Sequence, residues 1–286
     1  MSSSKNTVSL FSFEFFPPKT DEGANNLERV QKRLNKLNPD FFSVTFGAGG
    51  STRDKTYDTV IKIQQSGVSA APHLSCVAST KENIAEILND YKNNKVSKIV
   101  ALRGDLPSGM MSAGQFRYAN ELVEFIRAET GDFFQIHVAA YPEIHPQAKN
   151  SKDDFENFKR KVDAGADAVI TQYFYNADSY FYFLDECEKN NIDIPIVPGI
   201  MPITNYSQLF RFSDMCGADI PRWMRKRLEQ FGDDSDSICA FGEDVVSRLC
   251  QRLLDNGAPG LHFYTMNKAK PVEAIWNNLR LGDKIA

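Results

Sequence analysis

The sequence predicts an α/β fold of the (β/α)₈ barrel class, formed by a single domain over residues 1–286. Short apolar runs bounded by turn residues alternate with amphipathic segments, which is typical of βαβ units and a parallel sheet. Eight such runs precede a final helical segment, PVEAIWNNLRLG, and both this count and the chain length suit the barrel. The predicted strands are 8–16, 41–46, 69–77, 98–104, 135–141, 168–175, 194–201 and 260–266.

No linker or low-complexity tract divides the chain, which favours one domain over two. The stretch from 206 to 257 is long enough for about three helices before the last strand.

Composition narrows the class of protein. The chain is 42% hydrophobic and 24% charged, with a formal net charge of −4 and no basic block, so nucleic acid is not expected as a partner. The start, MSSSKNTVSL, lacks the apolar segment of a signal peptide, and no apolar run is as long as a membrane span. Five scattered cysteines without a C-x-x-C motif indicate reduced thiols, so we expect a cytoplasmic protein. The four histidines form no H-x-H or H-E-x-x-H motif, so we expect no metal site.

Polar side chains stand at the carboxyl ends of the predicted strands, where barrels of this class carry their active sites. The period of two along a strand groups Thr45 with Ser43, and Arg103 with Ala101, and we expect both groups to face the barrel mouth. This pattern favours an enzyme. The polar residues at strand ends are Glu14, Thr45, His73, Arg103, Asp105, Tyr141, Glu143, His145, Gln172 and Tyr264.

Glu14 is the most unusual of these residues, because it lies in the apolar run FSFEFF just before two prolines. A carboxylate in an apolar setting has a raised pKa, so we expect Glu14 to be partly protonated near neutral pH and to act as a general acid. Two structural roles remain open: Glu14 could point to solvent from the strand end, or pair with an arginine.

Several chemistries find no support in the sequence. Strand one lacks the paired ligands of metal-dependent barrel hydrolases, and Lys98 and Lys161 are poorly placed for a Schiff base. No G-x-S-x-G or G-x-G-x-x-G motif follows a strand, which argues against a nucleophilic serine and a Rossmann site. A bulky organic cofactor suits the predicted mouth, with Arg103, Arg160 and Lys161 as candidate phosphate ligands. For the helical pair 160–161, a solvated surface is the alternative.

Ten motifs make the chain resemble the short bacterial form of the methylenetetrahydrofolate reductases over nearly its whole length. They are SFEFFPPKT, SVTFGAGG, APHLSC, ALRGDLP, AAYPEIHPQA, FKRKVDAGAD, ITQYFY, PGIMPITNY, PRWM and HFYTMNK. The resemblance implies a (β/α)₈ flavoenzyme that reduces 5,10-methylenetetrahydrofolate to 5-methyltetrahydrofolate. It further implies FAD as cofactor, NADH or NADPH as reductant with NADH favoured, ping-pong hydride transfer, and a homo-oligomer.

The resemblance also assigns residue roles. Glu14 matches the proton donor, and Asp105 matches the carboxylate beside flavin and pterin. Thr45 matches a nicotinamide contact, and Gln172 matches a side chain shared by folate and nicotinamide. Residues matching flavin contacts are Phe46, Ala48, His73, Arg103, Gly104, Tyr118, Ala119, Tyr141, His145, Ala148, Asp154, Asn157, Arg160 and Lys161. Residues matching the folate side are Gln208, Phe212, Tyr264 and Lys268.

Two positions depart from the family pattern. Phe46 stands where relatives often have tyrosine, which removes a hydroxyl contact but keeps ring packing. Lys268 stands where arginine is frequent, and a lysine is a point charge rather than a bidentate fork for a carboxylate. The resemblance also implies that the S-adenosylmethionine-binding domain of longer eukaryotic relatives has no counterpart here, so we expect no inhibition of that kind.

Two rival functions stay open at this point. One is a folate-using barrel methyltransferase without flavin, which a colourless purified protein would indicate. The other is a non-catalytic flavin-binding barrel, which would not accept hydride quickly from NADH.

Overall fold

The computed structural model describes residues 10–46, 50–104 and 114–282, with the side chains of 50–53 outside that description. Parallel strands alternate with helices along these residues, as the predicted barrel requires. The strands are β1 (Leu10–Phe15), β2 (Phe41–Val44), β3 (Ala70–Ser75), β4 (Lys98–Leu102), β5 (Gln135–Ala140), β6 (Ala168–Thr171), β7 (Ile196–Val197), β8 (Gly199–Ile200) and β9 (Gly260–Tyr264).

The helices pack around the outside of the sheet. Six of them begin at an Asn, Thr or Asp whose side chain accepts a backbone N–H of the first turn: Thr20, Thr80, Asn150, Asn176, Asn205 and Asp234. The helices are α1 (Asp21–Leu34), α2 (Gly50–Gln65), α3 (Lys81–Asn93), α4 (Ala119–Thr130), α5 (Ser151–Asp163), α6 (Ala177–Lys189), α7 (Tyr206–Cys216), α8 (Arg222–Phe231), α9 (Ser235–Asp255) and α10 (Lys270–Asn278). The three helices expected between 206 and 257 are α7, α8 and α9.

The sheet is a nearly closed barrel. Its strand order is β7-β6-β5-β4-β3-β2-β1-β9-β8, and every pairing is parallel. The fold prediction is therefore confirmed.

One predicted strand, 194–201, is divided in the structure. Pro198 separates β7, which pairs with β6, from β8, which pairs with β9. Pro198 has no N–H to donate, and its carbonyl accepts the N–H of His262 at 3.0 Å. Gly199 donates its N–H to the Thr171 side chain at 2.9 Å instead of to a backbone carbonyl. The barrel therefore switches partners within this stretch, and one predicted strand becomes two short ones.

The main apolar core lies between the strands and the helices and includes Phe11, Phe13 and Phe15. A second, small cluster lies inside the barrel and includes Phe41 and Val100. On β4, Val100 and Leu102 face inward while Ala101 belongs to the outer core. The expectation that Ala101 marks the mouth-facing side of this strand is thus wrong, because the alternation on β4 is shifted by one residue.

Candidate active site

Glu14 lies inside the barrel near the carboxyl end of β1. The alternation of β1 sends Phe13 and Phe15 to the outer core, so Glu14 points inward and is only 7% exposed. Its strand neighbours are Ser43 on β2 and Tyr264 on β9. Thr265 fixes this strand end, since its hydroxyl donates to the Glu14 carbonyl at 2.6 Å.

Two histidines from different strands contact the Glu14 carboxylate. Nε2 of His73, on β3, lies 3.1 Å from Oε2, in ion-pair range but poorly aligned for a hydrogen bond. Nε2 of His262, on β9, lies 3.5 Å from the same oxygen. Glu14 therefore neither points to solvent nor pairs with an arginine, and both alternatives left open by the sequence are wrong.

The pKa of Glu14 also differs from the sequence-based expectation. Burial raises this pKa, but the charge of His73 and the hydrogen bond from His262 outweigh burial and lower it to about 2. The expectation of a partly protonated acid near neutral pH is wrong, because the apolar neighbours face the outer core and histidines face the carboxylate. Glu14 is ionised at neutral pH and must receive a proton before it can donate one.

His262 is a functional candidate that the sequence analysis missed. It is fully buried, and its Nδ1 lies 2.7 Å from the hydroxyl of Ser12, which faces inward from the start of β1. Burial lowers the pKa of His262, while its hydrogen bond to Glu14 opposes that shift. With Nε2 protonated, His262 donates to Glu14 and accepts from Ser12. The parity of β9 carried the signal, since His262 lies on the same face as the selected Tyr264.

Residues selected as flavin contacts converge beyond the ends of β4 and β5. The rings of Tyr141 and His145 meet edge-on, with 4.5 Å between their centroids. The backbone N–H of His145 donates to the Asp154 carboxylate on α5 at 2.9 Å. Asp154 also attracts the ammonium group of Lys161, about two turns further along α5. Four residues that are up to twenty positions apart in the chain thus form one cluster.

The backbone at Gly104 packs tightly against Ser75 of β3 next to this cluster. Gly104 has a φ of +80°, and a Cβ at this position would lie 1.9 Å from the Ser75 hydroxyl. The preceding Arg103 donates from Nη2 to the Gln147 side chain at 2.5 Å. Only glycine fits here, because both the conformation and the space exclude a side chain.

The two basic residues of α5 have different surroundings. Arg160 is exposed and donates to Asn157 at 3.0 Å, one helical turn away. Lys161 is half-buried and directs its ammonium inward onto the carbonyl of Ala139. Burial lowers the pKa of Lys161 to about 8, against the opposing charge of Asp154. Arg160 alone matches the alternative of a solvated surface, whereas Lys161 points toward the barrel end.

The residues selected for the folate side lie across the mouth from the flavin-side cluster. Tyr264 donates its hydroxyl to the Thr171 carbonyl at 2.8 Å, next to Gln172 at the end of β6. Exposed Lys268 donates to Thr204 at 3.2 Å, in the loop that leads to α7. Two half-buried residues on α7 complete this group: Gln208 and Phe212.

The remaining selected residues occupy the rim. Thr45 and Phe46 follow β2 and are half-buried, and Tyr118 is 54% exposed just before α4. Ala119 opens α4, and the N–H of Ala148 donates to the His145 carbonyl at 2.8 Å. Ala48 and Asp105 lie outside the described residues.

Comparison with known proteins identifies the family. The family model described as methylenetetrahydrofolate reductase matches residues 1–280. The chain belongs to the methylenetetrahydrofolate reductase family. It is 43% identical over 269 residues to the 5,10-methylenetetrahydrofolate reductase of Escherichia coli (strain K12), covering 94% of this chain and 90% of that protein. The family resemblance seen in the sequence is confirmed, and this family member is an enzyme rather than a non-catalytic barrel.

A second relative and a solved structure extend the comparison. The chain is 40% identical over 286 residues to a probable methylenetetrahydrofolate reductase (NADH) of Oryza sativa subsp. japonica, covering 95% of this chain and 48% of that protein. An uncharacterized protein from Clostridium thermocellum that binds two copies of 5-methyl-5,6,7,8-tetrahydrofolic acid superposes with a TM-score of 0.70 at 15% identity. That alignment covers 97% of this chain and 96% of the other, and at this identity it supports the barrel fold.

The described residues offer neither a cluster of metal ligands nor a helix that could span a membrane. Among the described residues, no group of three or more His, Cys, Asp or Glu side chains is arranged to hold a metal ion. Within the same ranges, no helix combines the length and apolar character needed to cross a bilayer.

Proposed function

We propose that this member of the family is a FAD-dependent enzyme that uses NADH or NADPH to reduce 5,10-methylenetetrahydrofolate to 5-methyltetrahydrofolate in ping-pong order. Family membership supports methylenetetrahydrofolate reduction. The observation that carries the finer proposal is Glu14, a buried carboxylate held by two histidines at the carboxyl end of a barrel strand.

The residues beyond β4 and β5 fit a flavin dinucleotide. Gly104, which the resemblance assigns to the flavin, lies beside these residues, and its positive-φ backbone packs against Ser75 with no room for a Cβ. Arg103, Arg160 and Lys161 supply positive charge for a diphosphate, and the lysine ammonium keeps two of its three N–H donors beyond the one given to Ala139. When bound there, FAD supplies the redox chemistry by accepting hydride from the nicotinamide and giving it to the folate.

We assign Glu14 the role of proton donor to the amine nitrogen that leaves when the folate ring opens. That nitrogen gains a lone pair as its bond to the one-carbon unit breaks, so a positioned acid lowers the barrier. Because Glu14 is ionised at neutral pH, each turnover requires a proton delivered to the carboxylate. His262 is placed to deliver that proton through Nε2, and Ser12 holds the opposite ring nitrogen. His262 and Ser12 are therefore positioning residues for Glu14.

The opposite wall is proposed to hold the folate. Gln172 follows Thr171 at the end of β6, and the Tyr264 hydroxyl reaches the Thr171 carbonyl from β9. We expect these two side chains to contact both the pterin and the nicotinamide that precedes it in the same place. Gln208, Phe212 and Lys268 would hold the rest of the folate, with Lys268 as a point charge for a carboxylate. Thr45 remains a proposed nicotinamide contact, and Asp105 a proposed carboxylate beside the flavin.

A direct test separates this proposal from a flavin-free folate enzyme. Purified protein is expected to be yellow, to release FAD on denaturation, and to form 5-methyltetrahydrofolate from 5,10-methylenetetrahydrofolate with NADH or NADPH. Titration with each nicotinamide in turn decides the reductant. Colourless protein that cannot be reconstituted with FAD would contradict the proposal.

A further inference from the structure

Two buried polar side chains inside the barrel, Ser43 and His137, lack hydrogen-bond partners among the described residues. Ser43, on β2, is fully buried and its hydroxyl has no hydrogen-bond partner among the described residues. His137, on β5, is 3% exposed, and neither of its ring nitrogens has a partner within the same ranges. Three polar atoms of two inward-facing side chains are thus left without partners in one part of the barrel.

Such atoms are costly unless something satisfies them. An unpaired buried polar group loses its hydrogen bonds to solvent, and native proteins rarely leave several of them together. Buried water is the usual partner where a site is polar, and each such water takes about three hydrogen bonds. The His137 ring packs against Phe41 at 4.9 Å between centroids, and no group in the described part of the chain hydrogen-bonds either of its ring nitrogens.

These side chains lie behind the groups that serve Glu14. Ser43 is the direct strand neighbour of Glu14, and the ring of Phe41 lies between His137 and His262, at 4.9 and 6.3 Å. On the far side of His137, Lys98 donates to Gln135 at the amino-terminal end of the barrel. Lys98 and Asp40 are only half-buried there, so solvent reaches the amino-terminal end of the barrel next to these side chains.

The proposed function leaves a gap that this arrangement fills. When His262 passes its Nε2 proton to Glu14, its Nδ1 must take the proton of the Ser12 hydroxyl, and Ser12 must be supplied with another. In the proposed complex, cofactor and substrate would cover the mouth during this half-reaction. The replacement proton therefore needs another path.

We propose that the interior of the barrel between Ser43, His137 and Ser12 holds ordered water that conducts protons from the amino-terminal end of the barrel to His262 and Glu14. This inference rests on the proposed function. One proton leaves Glu14 for the substrate in each turnover, and one enters from solvent at the other end. Each group in between accepts one proton and releases one, so the interior carries no net charge before or after the transfer.

Charged and titratable side chains from several strands face His137 and Glu14. His137 faces Lys98 and His262, and burial, together with the positive charge of Lys98, keeps the pKa of His137 low, at about 3. A neutral imidazole has one donor and one acceptor nitrogen, which suits transfer without charge build-up. Glu14 faces His73, His262 and Tyr264.

The test compares the two half-reactions of the FAD-loaded enzyme by rapid mixing. His137→Leu fills the position with an apolar side chain and removes the water ligands, and Ile170→Val is the control for a size change at another inward-facing position. We expect His137→Leu to slow folate-dependent flavin reoxidation by about tenfold or more, within the span of lost acid–base assistance, while flavin reduction by NADH stays near wild type. The solvent deuterium isotope effect on reoxidation should rise, because proton delivery becomes limiting.

His137→Gln serves as the second variant. Its amide still hydrogen-bonds water and supports folding, but unlike an imidazole it does not take up and release a proton. We expect it to slow reoxidation and raise the isotope effect in the same direction as His137→Leu. Unchanged reoxidation and isotope effect in either folded variant would overturn the inference, as would equal slowing of both half-reactions. Absence of folate-dependent reoxidation in the wild-type enzyme would instead contradict the proposed function.

Discussion

Nε2 of His262 lies 3.5 Å from the carboxylate of Glu14, although 248 residues separate them in the chain. The contact exists because β9 returns to pair with β1 and closes the barrel next to the first strand. This pair determines what Glu14 can do, since a histidine held by Ser12 can return a proton to a carboxylate that is ionised at neutral pH.

The first prediction concerns cofactor retention. Lys161→Ala removes a buried ammonium at the end of β5 and should weaken FAD binding, so that dilution releases apo-protein. Lys159→Ala is the matched control, because Lys159 lies on the same helix but pairs with Asp163. Absorbance of bound flavin after serial dilution and gel filtration measures the difference. Full retention in Lys161→Ala would count against the assigned phosphate contact.

The second prediction concerns the close packing of the Gly104 backbone against Ser75. Gly104→Ala adds a Cβ that would lie 1.9 Å from the Ser75 hydroxyl, on a backbone with a φ of +80°. Gly67→Ala carries the conformational cost alone, since its φ is +86° and nothing lies within 4 Å of the added atom. We expect Gly104→Ala to lose about 1–3 kcal/mol more of the free energy of unfolding than Gly67→Ala, the usual cost of overpacking. Urea unfolding of both apo-variants measures this difference, and equal losses would show that the loop relaxes freely.

The third prediction concerns the pH dependence of stability. The pKa of His137 is lowered from 6.5 to about 3, mainly by burial, so the unfolded state binds a proton that the folded state does not. The stability that depends on neutral His137 is therefore fully present above about pH 6.5 and is lost as the pH falls toward 3. The loss is on the order of 4–5 kcal/mol at most, at about 1.4 kcal/mol for each pKa unit. His137→Gln should flatten the stability profile of the apo-protein over this window, and an unchanged slope would mean that His137 is protonated in the folded state.

Much of the fold follows from the sequence because local patterns specify it. Apolar runs and capped helices predict the strand and helix order, and active sites at the carboxyl strand ends follow from the barrel itself. The division at Pro198 was not predictable from its own segment, since it depends on which neighbours Gly199 and Pro198 meet across the barrel.

The site was predictable as a set of residues but not in its electrostatics. The motifs select Glu14, Tyr141, His145 and Lys161, and the structure brings the last three together beyond β5. The pKa of Glu14 was predicted in the wrong direction, because the sequence shows its apolar neighbours in the chain and hides the histidines that β3 and β9 supply. Only the closed barrel reveals those contacts.

The fourth prediction tests the central claim that Glu14 gives a proton to the folate. Glu14→Gln keeps the size of the side chain and a polar contact to His262, but an amide cannot serve as the acid. Transfer of hydride from the nicotinamide needs no proton donor, whereas ring opening does.

The most direct measurement is rapid mixing of FAD-loaded Glu14→Gln with NADH and, separately, of the NADH-reduced enzyme with 5,10-methylenetetrahydrofolate. We predict flavin reduction by NADH within several-fold of wild type, and folate-dependent reoxidation slowed by about 10²–10⁴, the usual span for a lost general acid. Folate-dependent reoxidation at the wild-type rate, or equal slowing of both half-reactions, would contradict the assignment of Glu14 as the proton donor.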